Sequence, residues 1–246
     1  LYFATNSYAK EVHIAGGTAL LQSFYTIRKP EVKWPFKYYL LDSGGFAARK
    51  YDIKIDVGEY ADFINKHNVT LAFNLDTNDV DETADNLLYL TAHCPSCYII
   101  PIYHYSDYIE GGMRLLQYFA SAGFPYIGLG GIAGAIFSKD KQRRFFDTVF
   151  SFWARNRELK FHGLGVTDKK MLLSYPFYSV DSSSFSAPLR YGVTCNREMY
   201  KRQYNISGKY FRLLGKAAIV NEIKYFVSIE QLATELWTKR GVVWND

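Results

Sequence analysis

Three aspartates in this chain end short apolar runs, and small or polar residues follow each of them. They are Asp42 in Tyr38-Tyr39-Leu40-Leu41-Asp42-Ser43-Gly44-Gly45-Phe46, Asp76 in Leu71-Ala72-Phe73-Asn74-Leu75-Asp76, and Asp181 in Tyr178-Ser179-Val180-Asp181-Ser182-Ser183-Ser184. An aspartate at the tip of a buried strand is a poor structural choice, because it disfavours strand and resists burial. Three at equivalent places point to one shared pocket. Carboxylates there can act as nucleophile, as general acid or base, or as acceptors for a ligand's N–H groups.

Other tips offer different groups. In Asp42-Ser43-Gly44-Gly45-Phe46 the glycines let backbone amides approach a ligand, Ser43 adds a hydroxyl donor and Phe46 a stacking face. Gly128-Leu129-Gly130-Gly131-Ile132-Ala133-Gly134 is a second glycine-rich tip. No Gly-Lys-Ser/Thr follows, so it is not a phosphate loop. His162-Gly163-Leu164-Gly165-Val166 is a third, with Leu164 as an apolar wall. His104 ends Ile100-Pro101-Ile102-Tyr103-His104 and is a candidate reader of a ligand edge. Each motif also has a plain alternative: an aspartate capping the next helix, or a close-packed glycine turn.

The elements that must position these tips recur along the chain. Apolar runs at 1–4, 38–42, 69–75, 98–103, 126–129, 159–164 and 177–180 read as strands. Helical spacing marks 57–67, 79–92, 110–122 and 140–156 between them, and Ile229, Leu232, Ala233, Leu236 and Trp237 near the C-terminus. Strand–helix alternation predicts a parallel sheet, and seven strands point to a (β/α)8 TIM-type barrel in one domain spanning 1–246. The eighth strand is not obvious. It is expected within 186–220, or the barrel is irregular there, and C-terminal helices close it. A doubly wound sheet is the runner-up.

The totals fit such a fold. The chain has 246 residues with 48 % hydrophobic content, including 21 Tyr and 18 Phe. No apolar run approaches the ~20 residues a membrane helix needs, so no membrane partner is expected. Three cysteines make no disulfide framework and suit a reducing cytoplasm. Cys94-Pro95-Ser96-Cys97 reads as a structural turn, with a zinc half-site or redox pair as the alternatives. The formal charge of +5 is concentrated. Residues 186–220 carry Arg190, Arg197, Lys201, Arg202, Lys209, Arg212 and Lys216 against Glu198, and the rest of the chain is slightly acidic. Tyr191, Tyr200, Tyr204, Tyr210 and Phe211 interleave with them. Basic residues mixed with aromatics suit a polyanion with flat bases, although a solvated helix face has the same composition.

Taken in order, these tips resemble the tRNA-guanine transglycosylase superfamily, and most closely its shorter virus-type branch, the DNA 7-deazaguanine transglycosylases. Asp-Ser-Gly-Gly-Phe at 42–46 matches the family's most recognisable motif, and Gly-Gly-Ile-Ala at 130–133 is similar to its Gly-Gly-Leu-Ala loop. Gly163-Leu164-Gly165-Val166 resembles the strand end whose hydrophobic residue covers the base. Val180-Asp181 followed by Arg190-x-Gly192 resembles the nucleophile strand and its downstream arginine. The resemblance covers residues 35–195.

It implies exchange of guanine in DNA for a free 7-deazaguanine, with the backbone intact. Asp181 would be the nucleophile and Asp42 the general acid/base. Asp76 would hold the amidine edge of the base, and Gly130 and Gly131 its carbonyl oxygen, with Ser43, His104, Ile132 and Gly165 also lining the base site. Phe46 and Leu164 would sandwich the ring. Arg190 would hold a phosphate, with Arg197, Lys201 and Arg202 on the nucleic-acid surface. The tRNA-acting members carry a C-x-C-x-x-C…H zinc site near the C-terminus that this sequence lacks, so no metal and no cofactor are expected. They also read the base with a glutamine where this chain has His104. Both departures favour DNA over tRNA. A tRNA enzyme, a non-catalytic nucleic-acid-binding subunit and a base-releasing hydrolase are the alternatives. A partner protein that opens the duplex, or a second copy of the chain, is compatible with all of these.

Overall fold

The computed structural model describes residues 1–27, 35–132, 138–191 and 209–244, without the side chains of Arg49, Tyr191 and residues 209–214. Nine strand segments run parallel: Tyr2–Ala4 (β1), Ala19–Ser23 (β2), Tyr38–Asp42 (β3), Leu71–Phe73 (β4), Tyr98–Ile100 (β5), Ile102–His104 (β6), Tyr126–Gly130 (β7), Lys160–Gly163 (β8) and Ser179–Ser182 (β9). Their order is β5-β4-β3-β2-β1-β9-β8-β7-β6. The two ends of that order are neighbours in sequence, separated only by Pro101. A proline has no N–H to give a ladder, so the strand is interrupted there. Ile100 still accepts from Asn74 N at 2.9 Å on one side, and Pro101 accepts from Gly128 N at 2.8 Å on the other. Residues 98–104 thus serve β4 and β7 together, and the sheet curls into a TIM-type α/β barrel with eight strand positions.

The strands alternate strictly. Tyr2, Ala19, Leu21, Tyr38, Leu40, Phe73, Ile100, Ile102 and Tyr126 point inward and form one cluster. Leu41, Ala72, Ile99, Tyr103, Ile127, Leu129, Phe161 and Val180 point outward and pack under the helices. This is the period-2 rule of a strand, applied where both faces are buried.

The helices are Ala9–Ile14 (α1), Gly45–Tyr51 (α2), Val57–Lys66 (α3), Val80–His93 (α4), Tyr105–Gly111 (α5), Arg114–Ser121 (α6), Lys139–Trp153 (α7), Lys169–Ser174 (α8), Ala187–Tyr191 (α9) and Lys209–Lys239 (α10). Side-chain caps fix several starts: Asp56 accepts from Glu59 N, Asp79 from Glu82 N and Ser138 from Lys141 N. Under α7 the shell is aromatic. Phe146 packs against Tyr175 at 5.3 Å and Phe177 at 5.1 Å, and Phe150 meets Phe161 edge-on at 5.6 Å.

Two sequence expectations change. The eighth strand is β2, not a piece of 186–220, where the described residues are helical and 192–208 lie outside the description. The helix expected over 110–122 is two helices, because α5 ends at Gly111 and Gly112 has φ +58°. Cys94-Pro95-Ser96-Cys97 is a turn from α4 into β5, closed by Cys97 N donating to Cys94 O at 2.9 Å. Both thiols are free and buried. Burial pushes Cys97 up to about 12 and Cys94 up as well, which disfavours the thiolate a redox pair would need. Among the described residues no cluster suits a metal ion, and no helix is long and apolar enough to cross a membrane.

Phe146 is fully buried in the aromatic shell. Phe146→Ala is expected to lower unfolding free energy by about 3–5 kcal/mol. Denaturant titration followed by circular dichroism measures it, and a loss below about 1 kcal/mol would mean the shell collapses around the gap.

Candidate active site

Inward alternation carries β2, β3, β6, β7 and β9 up to their tips. Ser23 ends β2 and stands beside Asp42 at the end of β3; His104 ends β6 and stands beside Gly130 at the end of β7. Asp181 lies one residue from the end of β9, and Asp76 follows β4 after Asn74 and Leu75. The three aspartates therefore share one mouth, at the C-terminal ends of the strands.

Their proximity is visible in Asp42. Burial raises its carboxyl to about 7, and the neighbouring charges of Asp76 and Asp181 add to that. A bond with the Ser23 side chain and the Gly44 N–H at 3.1 Å pull the other way but do not offset it. The turn that holds Asp42 needs glycine at position 44. Its φ is +89°, and a Cβ there would lie 2.4 Å from the Cβ of Tyr25. Ser43 is buried, and its hydroxyl accepts from Gly45 N at 3.4 Å, so it shapes the turn. Phe46, the second residue of α2, is 76 % exposed.

Asp76 is buried and paired. His104 Nε2 lies 2.9 Å from its Oδ2. The Asp107 carboxylate accepts from the His104 backbone N–H at 2.7 Å, which fixes the start of α5. Gly130 makes space for the ring, since a Cβ there would come within 2.7 Å of His104 Nδ1. His104 thus orients Asp76, and the two present one polar edge.

Asp181 is held by two donors on one oxygen. Oδ1 accepts from Gly165 N at 2.7 Å and lies 3.3 Å from His162 Nε2. Among the described residues Oδ2 has no hydrogen bond. His162 is fully buried at an inward position of β8, with its ring edge-on to Phe73 at 5.0 Å. Its Nδ1 lies 2.6 Å from Ser179 Oγ, which lies 2.6 Å from Tyr126 OH. Burial lowers the His162 pKa, and the bond and charge of Asp181 only partly oppose that. The signal that could have found His162 is its parity, since it alternates with outward Phe161 and Gly163.

The remaining expected residues divide. Leu164 is half-buried beside the inward cluster, and a Cβ on Gly128 would lie 3.0 Å from its Cδ1. Gly131 is exposed at the rim with φ +71°. Gly165 gives its amide to Asp181. The Ile132 side chain is fully buried in the outer core, away from the mouth, and its carbonyl accepts from Gln142 Nε2 at 2.6 Å. Arg190 is exposed on α9, which follows β9 after the short 3-10 turn Ser184–Ser186. Arg197, Lys201 and Arg202 lie outside the described residues.

A cavity of about 390 Å³ opens at the other end of the barrel, under α10. Tyr2, Ala19 and Tyr38 line it, each the first residue of its strand, together with Trp237 and Trp244. None of the three aspartates reaches it. In this fold the strand-start face serves stability and the strand-end face serves chemistry, so the carboxylate mouth is the candidate site.

No protein-family model matches the chain, and no curated protein matches it. The resemblance to the transglycosylases therefore rests on the motifs alone.

The raised Asp42 pKa has a stability consequence. The folded state keeps the Asp42 proton up to about pH 7, whereas the unfolded chain releases it near 3.8, the ordinary value of an aspartate. The stability from that retained proton is full below the unfolded value and is lost as pH rises through about 7. Asp42→Asn is expected to be more stable than the parent at pH 8, with the gap closing toward pH 4. Urea unfolding of both proteins at the two pH values checks this, and a gap independent of pH would contradict it.

Proposed function

We propose that the chain is a pentosyltransferase that exchanges guanine in DNA for a free 7-deazaguanine through a covalent glycosyl–aspartate. The observation that carries this reading is the placing in one mouth of Asp42, at the end of β3, where burial and like charge raise its pKa, and a second aspartate, Asp181, fixed by two donors on one oxygen. Two carboxyl groups whose environments differ in this way are suited to separate acid/base and nucleophilic roles.

In the first step Asp181 attacks the anomeric carbon of a guanosine, and the bond from that carbon to guanine breaks. Asp42 gives its proton to the departing base, leaving neutral guanine and a glycosyl ester. In the second step the incoming 7-deazaguanine attacks the same carbon while Asp42 takes its ring N–H proton and Asp181 leaves as carboxylate. Two inversions retain configuration, as in retaining glycosidases. Asp76, oriented by His104, receives the amidine edge of the base, with Leu164 and Phe46 against the ring. Arg190 contacts a phosphate, and extrusion of the nucleotide brings its base to the mouth. The absence of the tRNA-type zinc motif from the sequence favours DNA over tRNA. The compartment that fits is the cytoplasm, that of the host for a viral protein.

The test is mass spectrometry of nucleosides from DNA incubated with the protein and a panel of 7-deazaguanines, alongside exchange of labelled guanine. Asp181→Ala is expected to abolish exchange with the fold intact, and full exchange in that variant would sink the reading. Asp42→Asn should lose about 100-fold or more in kcat. Asp76→Ala should chiefly raise KM for the base, by roughly 10–100-fold, the cost of hydrogen bonds to a charged group.

A further inference from the structure

A buried titratable group beside Asp181 has no part in the exchange proposed above. His162 sits under Asp181, fully enclosed inside the barrel. We infer that His162 is the positioning residue of Asp181: a neutral imidazole, fixed in one tautomer by Ser179 and Tyr126, that selects which carboxylate oxygen attacks. The inference rests on the assignment of Asp181 as nucleophile.

The direction of each bond follows from proton counting. An Asp181 carboxylate can only accept, so the facing Nε2, 3.3 Å away, must carry the proton. A neutral imidazole then has a bare Nδ1, which accepts from the Ser179 hydroxyl at 2.6 Å. With its proton committed, Ser179 Oγ accepts in turn from Tyr126 OH at 2.6 Å. Burial raises the Tyr126 pKa well above its ordinary value and lowers that of His162, so the phenol stays a donor and the imidazole stays neutral. Every donor in the chain Tyr126–Ser179–His162–Asp181 points the same way, and reversing the tautomer would remove the bond to Asp181.

Both donors to Asp181, His162 Nε2 and Gly165 N, converge on Oδ1. That pins rotation of the carboxylate and leaves Oδ2 to form the bond to the sugar carbon. In the glycosyl ester Oδ1 is the carbonyl oxygen and still accepts both bonds. When Asp181 leaves in the second step, negative charge returns to an oxygen already met by two donors, as in an oxyanion hole. A neutral donor suits this better than a cation, because it orients the nucleophile without quenching its charge.

The experiment combines ring-nitrogen NMR of His162 in the parent protein with guanine-exchange kinetics of His162→Met, His162→Gln and Ser179→Ala. The parent should show His162 protonated at Nε2 and bare at Nδ1. His162→Met should lose about 100-fold in kcat with KM for the base within about 3-fold, the cost of an oxyanion-type donor. His162→Gln, which can place an amide N–H toward Asp181, should recover to within about 10-fold of the parent. Ser179→Ala, which removes the nearer hydroxyl at His162 Nδ1 and leaves Tyr126 OH 3.4 Å away, should lose roughly 10-fold, as outer partners of a functional group commonly do. This variant also keeps the test sharp if His162→Met fails to fold. A proton on Nδ1, or variants as fast as an active parent, would overturn the positioning role alone. A parent with the expected tautomer and no exchange would overturn the nucleophile assignment and the role of His162 in catalysis with it.

Discussion

Three carboxylates of like charge share one mouth, and none of them can be there without a local answer to the repulsion. Each answer is different. Asp42 keeps its proton to about pH 7, pushed there by burial and then by the charges of Asp76 and Asp181. Asp76 gives up solvent and leans on His104 at 2.9 Å. Asp181 is met by an amide N–H and a neutral imidazole on the same oxygen. Removing any one answer transfers its cost to the other two, because the groups act on one another through a poorly solvated space. The loops and small residues around the mouth serve these three arrangements: Gly44 turns the chain under Asp42, Gly130 clears the His104 ring, and Gly165 supplies an amide.

The barrel supplies what a loop cluster could not. Strict alternation puts Ser23, Asp42, His104, Gly130 and Asp181 on the inner face, one layer above a floor of Phe73, Leu164 and His162. The layer is lopsided. On β7 the inward positions near the mouth are Gly128 and Gly130, and a Cβ on Gly128 would press within 3.1 Å of Phe73 and 3.0 Å of Leu164. Glycine on that side leaves room for Leu164 and Phe73 to close over the strand. The same lopsidedness puts the polar chain of Tyr126, Ser179 and His162 on the β7–β9 side, directly below Asp181. Hydroxyls buried in a barrel interior are costly unless each has a partner, and here the bonds run from one to the next.

The barrel class and the three aspartates were legible because charge at the end of an apolar run is a loud signal against a quiet background. Other parts were silent for physical reasons. β2 is Ala19-Leu20-Leu21-Gln22-Ser23, residues that favour helix or nothing in particular. It is a strand because β1 and β3 pair with it on both sides, a constraint of the closed sheet and not of its own composition. Ile132 sits in a glycine-rich loop where an apolar side chain can face the mouth or the shell, and the shell, dry and aromatic, takes it. His162 was visible as a residue but not as a partner, since its meaning depends on Ser179 and Asp181 on the next strand.

The coupling between Asp42 and Asp181 has a consequence for the proposed exchange. Before the first step Asp181 is charged and Asp42 is neutral. After it Asp181 is an uncharged ester, and Asp42, having given its proton to guanine, carries the charge. The second step reverses both. The number of negative charges in the mouth is therefore the same in each state, and Asp76 with His104 stands apart from the count. The charge of Asp181 is one of the causes that hold the proton on Asp42, so esterification removes that cause in the step in which Asp42 must become an anion. Restoring the Asp181 carboxylate brings the cause back as Asp42 must accept a proton again. A general acid whose pKa falls when its partner is consumed and rises when its partner is released follows from electrostatics between neighbours, with no conformational change required. That reciprocity is a physical reason for placing two carboxyl groups close enough to repel, and in the proposed exchange it would make the crowding at the mouth part of the chemistry.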